Sequence, residues 1–118
     1  MIATFSQDAA VAVSLSAASE VFVPSIVVGE LYFGAYKSTR VQDNLKRITE
    51  FIAASTILDC DATTAQFYGQ IKNALKLKGR PIPENDMWIA AVAIQHDLIL
   101  ASRDAHFSEI ESLTLEAW

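Results

Sequence analysis

The chain has 118 residues, of which 52% are hydrophobic and 19% charged, with a formal net charge of −5. A chain of this length suits one domain with a single core, and this composition excludes a disordered polypeptide. No apolar run approaches the length of a membrane span, the acidic balance argues against gripping nucleic acid by bulk charge, and the lone Cys60, read as a core residue, cannot form an internal disulfide, so the expected setting is a reducing cytoplasm.

Residues 9–18 are rich in Ala and Val, with Asp8 where an N-cap would stand, and are read as a short helix. Residues 21–23 form a β-type run closed by Pro24, after which Ser25 can cap a helix reaching about Tyr36. Glu30 is the only charge in that helix, so it either snorkels to an edge or is held inside for a purpose. Tyr32, Phe33 and Tyr36 have helical spacing and read as core aromatics. Val41, Leu45, Ile48 and Ile52 then mark an amphipathic surface helix. A second strand covers Thr56 to Leu58, and Asp61 precedes a helix that buries Ala65, Tyr68, Ile71 and Leu75 and runs to Lys78 before Gly79. Lys72, Lys76, Lys78 and Arg80 make its far end basic, which reads as a solvated face that complements the helix dipole.

Residues 80–94 are the centre of the pattern. Pro83 fits the first position of a helix, Glu84 and Asp86 fall in its first turn, and residues 87–94 contain no polar side chain, so this helix is expected to be buried nearly all round. Asp86 therefore sits where water runs out, and its carboxylate can be either a cap or a functional acid. His96 and Asp97 mark a turn, residues 98–101 a compact apolar strand, residues 105–110 a short helix and residues 113–115 a last edge strand. His96 and His106 share no zinc-ligand spacing with each other or with Cys60, and read as a helix-end cation and a surface residue.

Strands separated by helices imply a mostly parallel sheet covered by helices. In such a fold the N-termini of helices lie on the same side as the C-termini of strands, where ligands bind. Glu30, Asp86 and Asp104 should all reach that rim. Carboxylates only a few ångströms apart need a cation, and hard oxygen ligands select Mg²⁺ or Mn²⁺ over zinc. An acidic protein can act on phosphates in this way, because the metal inverts the local sign of charge. The chemistry suited to such a site is phosphodiester hydrolysis.

Three motifs in order, PSIVVGELYFGA over residues 24–35, GRPIPENDMWIAA over 79–91 and LASRDAHF over 100–107, resemble PIN-domain ribonucleases of the VapC-like toxin type. The resemblance implies an α/β fold, a three-layer α/β/α sandwich, in a single domain over residues 1–118. It also implies Mg²⁺- or Mn²⁺-dependent endonucleolytic cleavage of RNA by a cytoplasmic toxin that pairs with a cognate antitoxin, forms a homodimer and needs no membrane. Glu30, Asp86 and Asp104 match three acidic positions of the family, as catalytic and metal-binding residues. Asn85 and Ser102 are candidate hydrogen-bond donors behind them, and Arg80 and Arg103 candidate phosphate contacts.

The pattern departs from the family at one point. PIN domains begin with a central apolar strand ending in Asp-Thr-Asn or a similar motif, whose Asp is the first ligand, and this chain has no such motif. MIATFSQDAAV resembles the segment just after it, and Asp8 aligns with the start of the following helix, not with the lost ligand. The expectation is therefore a sheet whose central first strand is missing, in a truncated copy or in a chain whose natural frame starts upstream of Met1. Cleavage would be weakened or lost, and the alternative is a catalytically dead PIN-like module that captures an antitoxin or another partner protein near Tyr32, Phe33 and Tyr36.

Overall fold

The computed structural model describes residues 11–14, 21–102 and 105–117. Strand β2 (Val21–Pro24) leads directly into helix α1 (Ser25–Tyr36), the fixed φ of Pro24 serving as the helix N-cap position. Helix α2 (Val41–Ala53), strand β3 (Thr56–Leu58) and helix α3 (Ala62–Lys78) follow. Helix α4 (Glu84–Gln95), strand β4 (Ile99–Ser102), a 3-10 turn (Ala105–Glu109) and strand β5 (Leu115–Ala117) complete the order.

Helix α3 has the best-defined ends. Asp61 accepts a hydrogen bond from the Thr64 amide at 3.0 Å while the Thr64 hydroxyl accepts one from the Asp61 amide at 3.0 Å, so two orphan donors are satisfied reciprocally. At the other end Gly79 takes the left-handed conformation with φ of 69°, and Arg80 N–H reaches back to Leu75 C=O at 3.0 Å. The buried face of α3 differs by one residue from the expected stripe: Thr64 is buried and Ala65 exposed, because the Thr64 hydroxyl is held inward by Asp61 and Gln95.

The sheet order is β3-β2-β1-β4-β5, and β1 (Val11–Ser14) occupies its centre. β2 pairs parallel with β3 and β4 parallel with β5, whereas β1 runs antiparallel to both its neighbours, with Val13 opposite Phe22 on one side and Leu100 on the other. Four of the five strands among the described residues thus point the same way, as a mostly parallel sheet requires. Residues 11–14 correct the helix expected over 9–18, whose remaining residues, with Asp8, lie outside the described ones. Local Ala and Val content does not decide the outcome here. The inner edges of β2 and β4 carry backbone donors and acceptors that need partners, and a β-branched Val at 11 and 13 suits the ladder that provides them. The centre of the sheet is therefore filled, by a strand of reversed direction.

Helix α4 runs through the interior: Ile89, Ala90, Ala91, Val92 and Ala93 have no exposed surface. It packs with Val27, Leu31 and Ala35 of α1, Ile71 and Leu75 of α3, and Val23 and Leu100 of the sheet in one core. Cys60, read as a core residue, is exposed instead, with the Ser25 hydroxyl 4.0 Å from its sulfur. Phe33 and Tyr36, also expected in the core, are 66% and 64% exposed. They fall off the stripe set by Val27, Leu31 and Ala35, while Tyr32 packs partly against the core.

Candidate metal centre

Two helix starts build the site. Glu30 stands in the second turn of α1 and is half-buried; Asn85 and Asp86 stand in the first turn of α4. The Pro83 carbonyl accepts from the amides of Asp86 at 3.1 Å and Met87 at 3.3 Å, and among the described residues no side chain caps α4. Asp86 is therefore not the helix cap. Its carboxylate crosses to the 3-10 turn, where Oδ2 lies 3.2 Å from His106 Nδ1, with Asp86 13% and His106 50% exposed.

Asn85 joins the two helices, its Nδ2 donating to Glu30 Oε2 at 3.1 Å. Burial pushes the Glu30 carboxyl above its ordinary value of 4.5; the Asn85 hydrogen bond opposes this, and the nearby charge of Asp86 adds to it. Glu30 and Asp86 are thus close enough to repel, in a partly dry setting. Two hard carboxylates of that kind are a donor set that fits Mg²⁺ or Mn²⁺, which commonly take one or two carboxylates and keep waters or phosphate oxygens as their other ligands. No group of three or more His, Cys, Asp or Glu side chains suited to a metal comes together among the described residues.

The other expected site residues are distributed differently. Asp104 and Arg103 lie outside the described residues. Ser102 ends β4 and is 3% exposed. Arg80 is exposed and faces an acid, with Nη1 4.0 Å from Glu109 Oε2. Its basic neighbours also meet acids: Lys78 is 3.8 Å from both Glu109 and Glu111, and Lys72 3.0 Å from Glu84. Lys72 and Glu84 further share Tyr68, whose hydroxyl donates to Glu84 and whose ring stacks on Trp88 with centroids 4.2 Å apart. That cluster ties α3 to both sides of the Asn85–Asp86 pair. His106 is exposed, as expected of a surface residue, but its contact with Asp86, 20 positions away, was not legible in the sequence.

Residues 2–113 match the family described as PIN domain. The chain is 40% identical over 102 residues to Ribonuclease VapC2 of Haemophilus influenzae, covering 86% of this chain and 77% of that protein. It is 34% identical over 97 residues to the tRNA(fMet)-specific endonuclease VapC of Shigella flexneri, covering 81% and 74%. Among solved structures, VapBC2 from Rickettsia felis bound to a DNA fragment from their promoter superposes with a TM-score of 0.79 at 32% identity, over 84% of this chain and 75% of that one. The architecture, the pairing of Glu30 with Asn85 and Asp86, and this similarity over most of the sequence lead to one assignment: the chain belongs to the PIN-domain family, among its VapC-like members.

Proposed function

We propose that the chain is a metal-dependent endoribonuclease toxin of a type II toxin–antitoxin pair, a single domain over residues 1–118 that uses Glu30, Asp86 and Asp104 to hold Mg²⁺ or Mn²⁺. The observation that carries this reading is the convergence of Glu30 and Asp86 from two helix starts, linked by Asn85, with mutual repulsion that a cation would relieve. RNA as the substrate is supported by the ribonuclease and tRNA(fMet)-specific endonuclease relatives, and an antitoxin partner by the VapBC complexes among the structural neighbours; a homodimer belongs to the same reading. A cytoplasmic setting belongs to the same reading and is supported by the free thiol of Cys60.

When bound, the cation supplies a water of lowered pKa and neutralises charge on the phosphate. The protein's part is geometric and electrostatic. Glu30, raised in pKa, is a carboxylate whose charged form gains most from a counter-ion, and Asn85 fixes one of its oxygens so that the other is directed without rotamer loss. Asp86 shares the site from a buried helix that cannot shift without disturbing the core. In this reading Asn85 holds Glu30 from behind, Ser102 is the donor assigned to the neighbouring Asp104, and Arg103 and Arg80 are the contacts to RNA phosphates, Arg80 by exchanging Glu109 for a phosphate oxygen.

The second reading, a PIN-like module that captures an antitoxin without cutting, is favoured by the exposed Phe33 and Tyr36, an aromatic surface suited to an apolar peptide. One experiment separates the two. Cleavage of RNA in Mn²⁺ or Mg²⁺, abolished by EDTA and reduced at least about 100-fold by Asp86→Ala and Asp104→Ala, is the result expected of the nuclease. Cleavage indifferent to both substitutions contradicts the metal site; partner binding with no cleavage in either metal favours the module.

A further inference from the structure

We infer that His106 is a positioning residue for the proposed cation site, holding Asp86 by a hydrogen bond from Nδ1 to Oδ2. The inference rests on Glu30 and Asp86 binding a divalent ion, and adds a residue that the acidic positions do not include.

The contact is 3.2 Å long and joins elements with different origins: Asp86 comes from the first turn of α4, His106 from the 3-10 turn after β4. A carboxylate that is ionised to hold a cation only accepts, so in that state Nδ1 carries the hydrogen of this bond. The backbone at both ends is fixed. Asp86 is followed by the fully buried run of α4, and His106 is followed by Phe107, which has no exposed surface. The ring is consequently delivered to the carboxylate by an anchored neighbour, although it is itself half-exposed.

A carboxylate in the first turn of a helix has several accessible rotamers, and a hydrogen bond to one oxygen selects among them before an ion arrives. Ligating carboxylates are in general held in this manner, and loss of the supporting donor lowers metal affinity without removing a ligand. Glu30 already has such a donor in Asn85, and His106 gives Asp86 its counterpart. Each acid then has a hydrogen-bonding side chain from another element beside it, Asn85 for Glu30 and His106 for Asp86.

The side-chain geometry offers a sharp test. Asn places its amide nitrogen two bonds beyond Cβ, where His has Nδ1; Gln places it three bonds beyond, where His has Nε2. Mn²⁺ uptake is measured on the full chain by loss of the free-ion EPR signal, a readout that needs no RNA. His106→Ala and His106→Gln should weaken uptake about 10- to 100-fold, while His106→Asn stays within about threefold of the unsubstituted chain. Circular dichroism in EDTA monitors folding, and if His106→Ala unfolds, the Asn and Gln variants decide the matter between themselves. Equal uptake by His106→Asn and His106→Gln, or by His106→Ala and the unsubstituted chain, overturns the role of His106. If the unsubstituted chain takes up no Mn²⁺, or Glu30→Gln leaves uptake unchanged, the cation site itself is wrong and the inference falls with it. If Glu30→Gln abolishes uptake while His106→Ala does not weaken it, only His106 is misassigned.

Discussion

Burial and the charge of Asp86 raise the Glu30 carboxyl above its ordinary 4.5, so the folded chain holds that proton more tightly than the unfolded one. Stability without metal therefore falls as pH rises from 4.5 through the folded value, and ionising Glu30 is a net cost to the fold. Replacing it by Gln should raise the melting temperature in EDTA at pH 7, and saturating Mn²⁺ should reverse the order by stabilising only the unsubstituted chain. Differential scanning fluorimetry reads both outcomes. Asp61 has the opposite sign: the backbone and side-chain hydrogen bonds of Thr64 hold its carboxyl below the ordinary 3.8. Its contribution is complete above pH 3.8 and is lost as pH falls through the lower folded value, so Asp61→Ala should melt below the unsubstituted chain at pH 7 and converge with it in acid. Asp61, Glu30 and Asp86 could all be singled out in the sequence, because a lone acid in an apolar run or ahead of a helix violates or completes a local pattern. Cys60, Phe33 and Tyr36 could not be placed, since which side of a helix or strand end faces the core is decided by packing from distant segments.

Helices α1, α2, α3 and α4 were legible as elements because each has 12 or more residues and marked ends, such as Asp61 and Gly79 around α3. Strand β1 was not. Four residues of Ala, Val and Ser carry no decisive period, and what selects the strand is the demand of two neighbouring edges for hydrogen-bond partners. Because Ala12 is opposite Ala101 in the middle of that ladder, Ala12→Pro should remove a ladder donor and leave buried groups unpaired, at about 1–3 kcal/mol each. Its signature would be a lowered denaturation midpoint together with faster amide exchange in Ile99–Ser102. Unchanged exchange there would contradict a central strand at Val11–Ser14.

At the scale of the whole molecule, a net charge of −5 and a pair of repelling carboxylates are reconciled by one assumption, that a divalent ion belongs at the rim of the sheet. The buried helix α4 makes that rim rigid: Asn85 and Asp86 are aimed by a run of five residues with no exposed surface, while the Tyr68–Trp88 stack and the Lys72–Glu84 pair brace the same helix start from α3. The sequence singled out Glu30 and Asp86 as residues, whereas the contact of His106 with Asp86 emerged only once the 3-10 turn and α4 were packed together. Anomalous scattering of Mn²⁺ in crystals of the chain decides whether a cation belongs between these acids. The expected result is an ion bonded to carboxylate oxygens of both Glu30 and Asp86, at close to the roughly 2.0–2.1 Å of a small hard cation. An ion bound elsewhere, or no ion between these two side chains at saturating Mn²⁺, would contradict it.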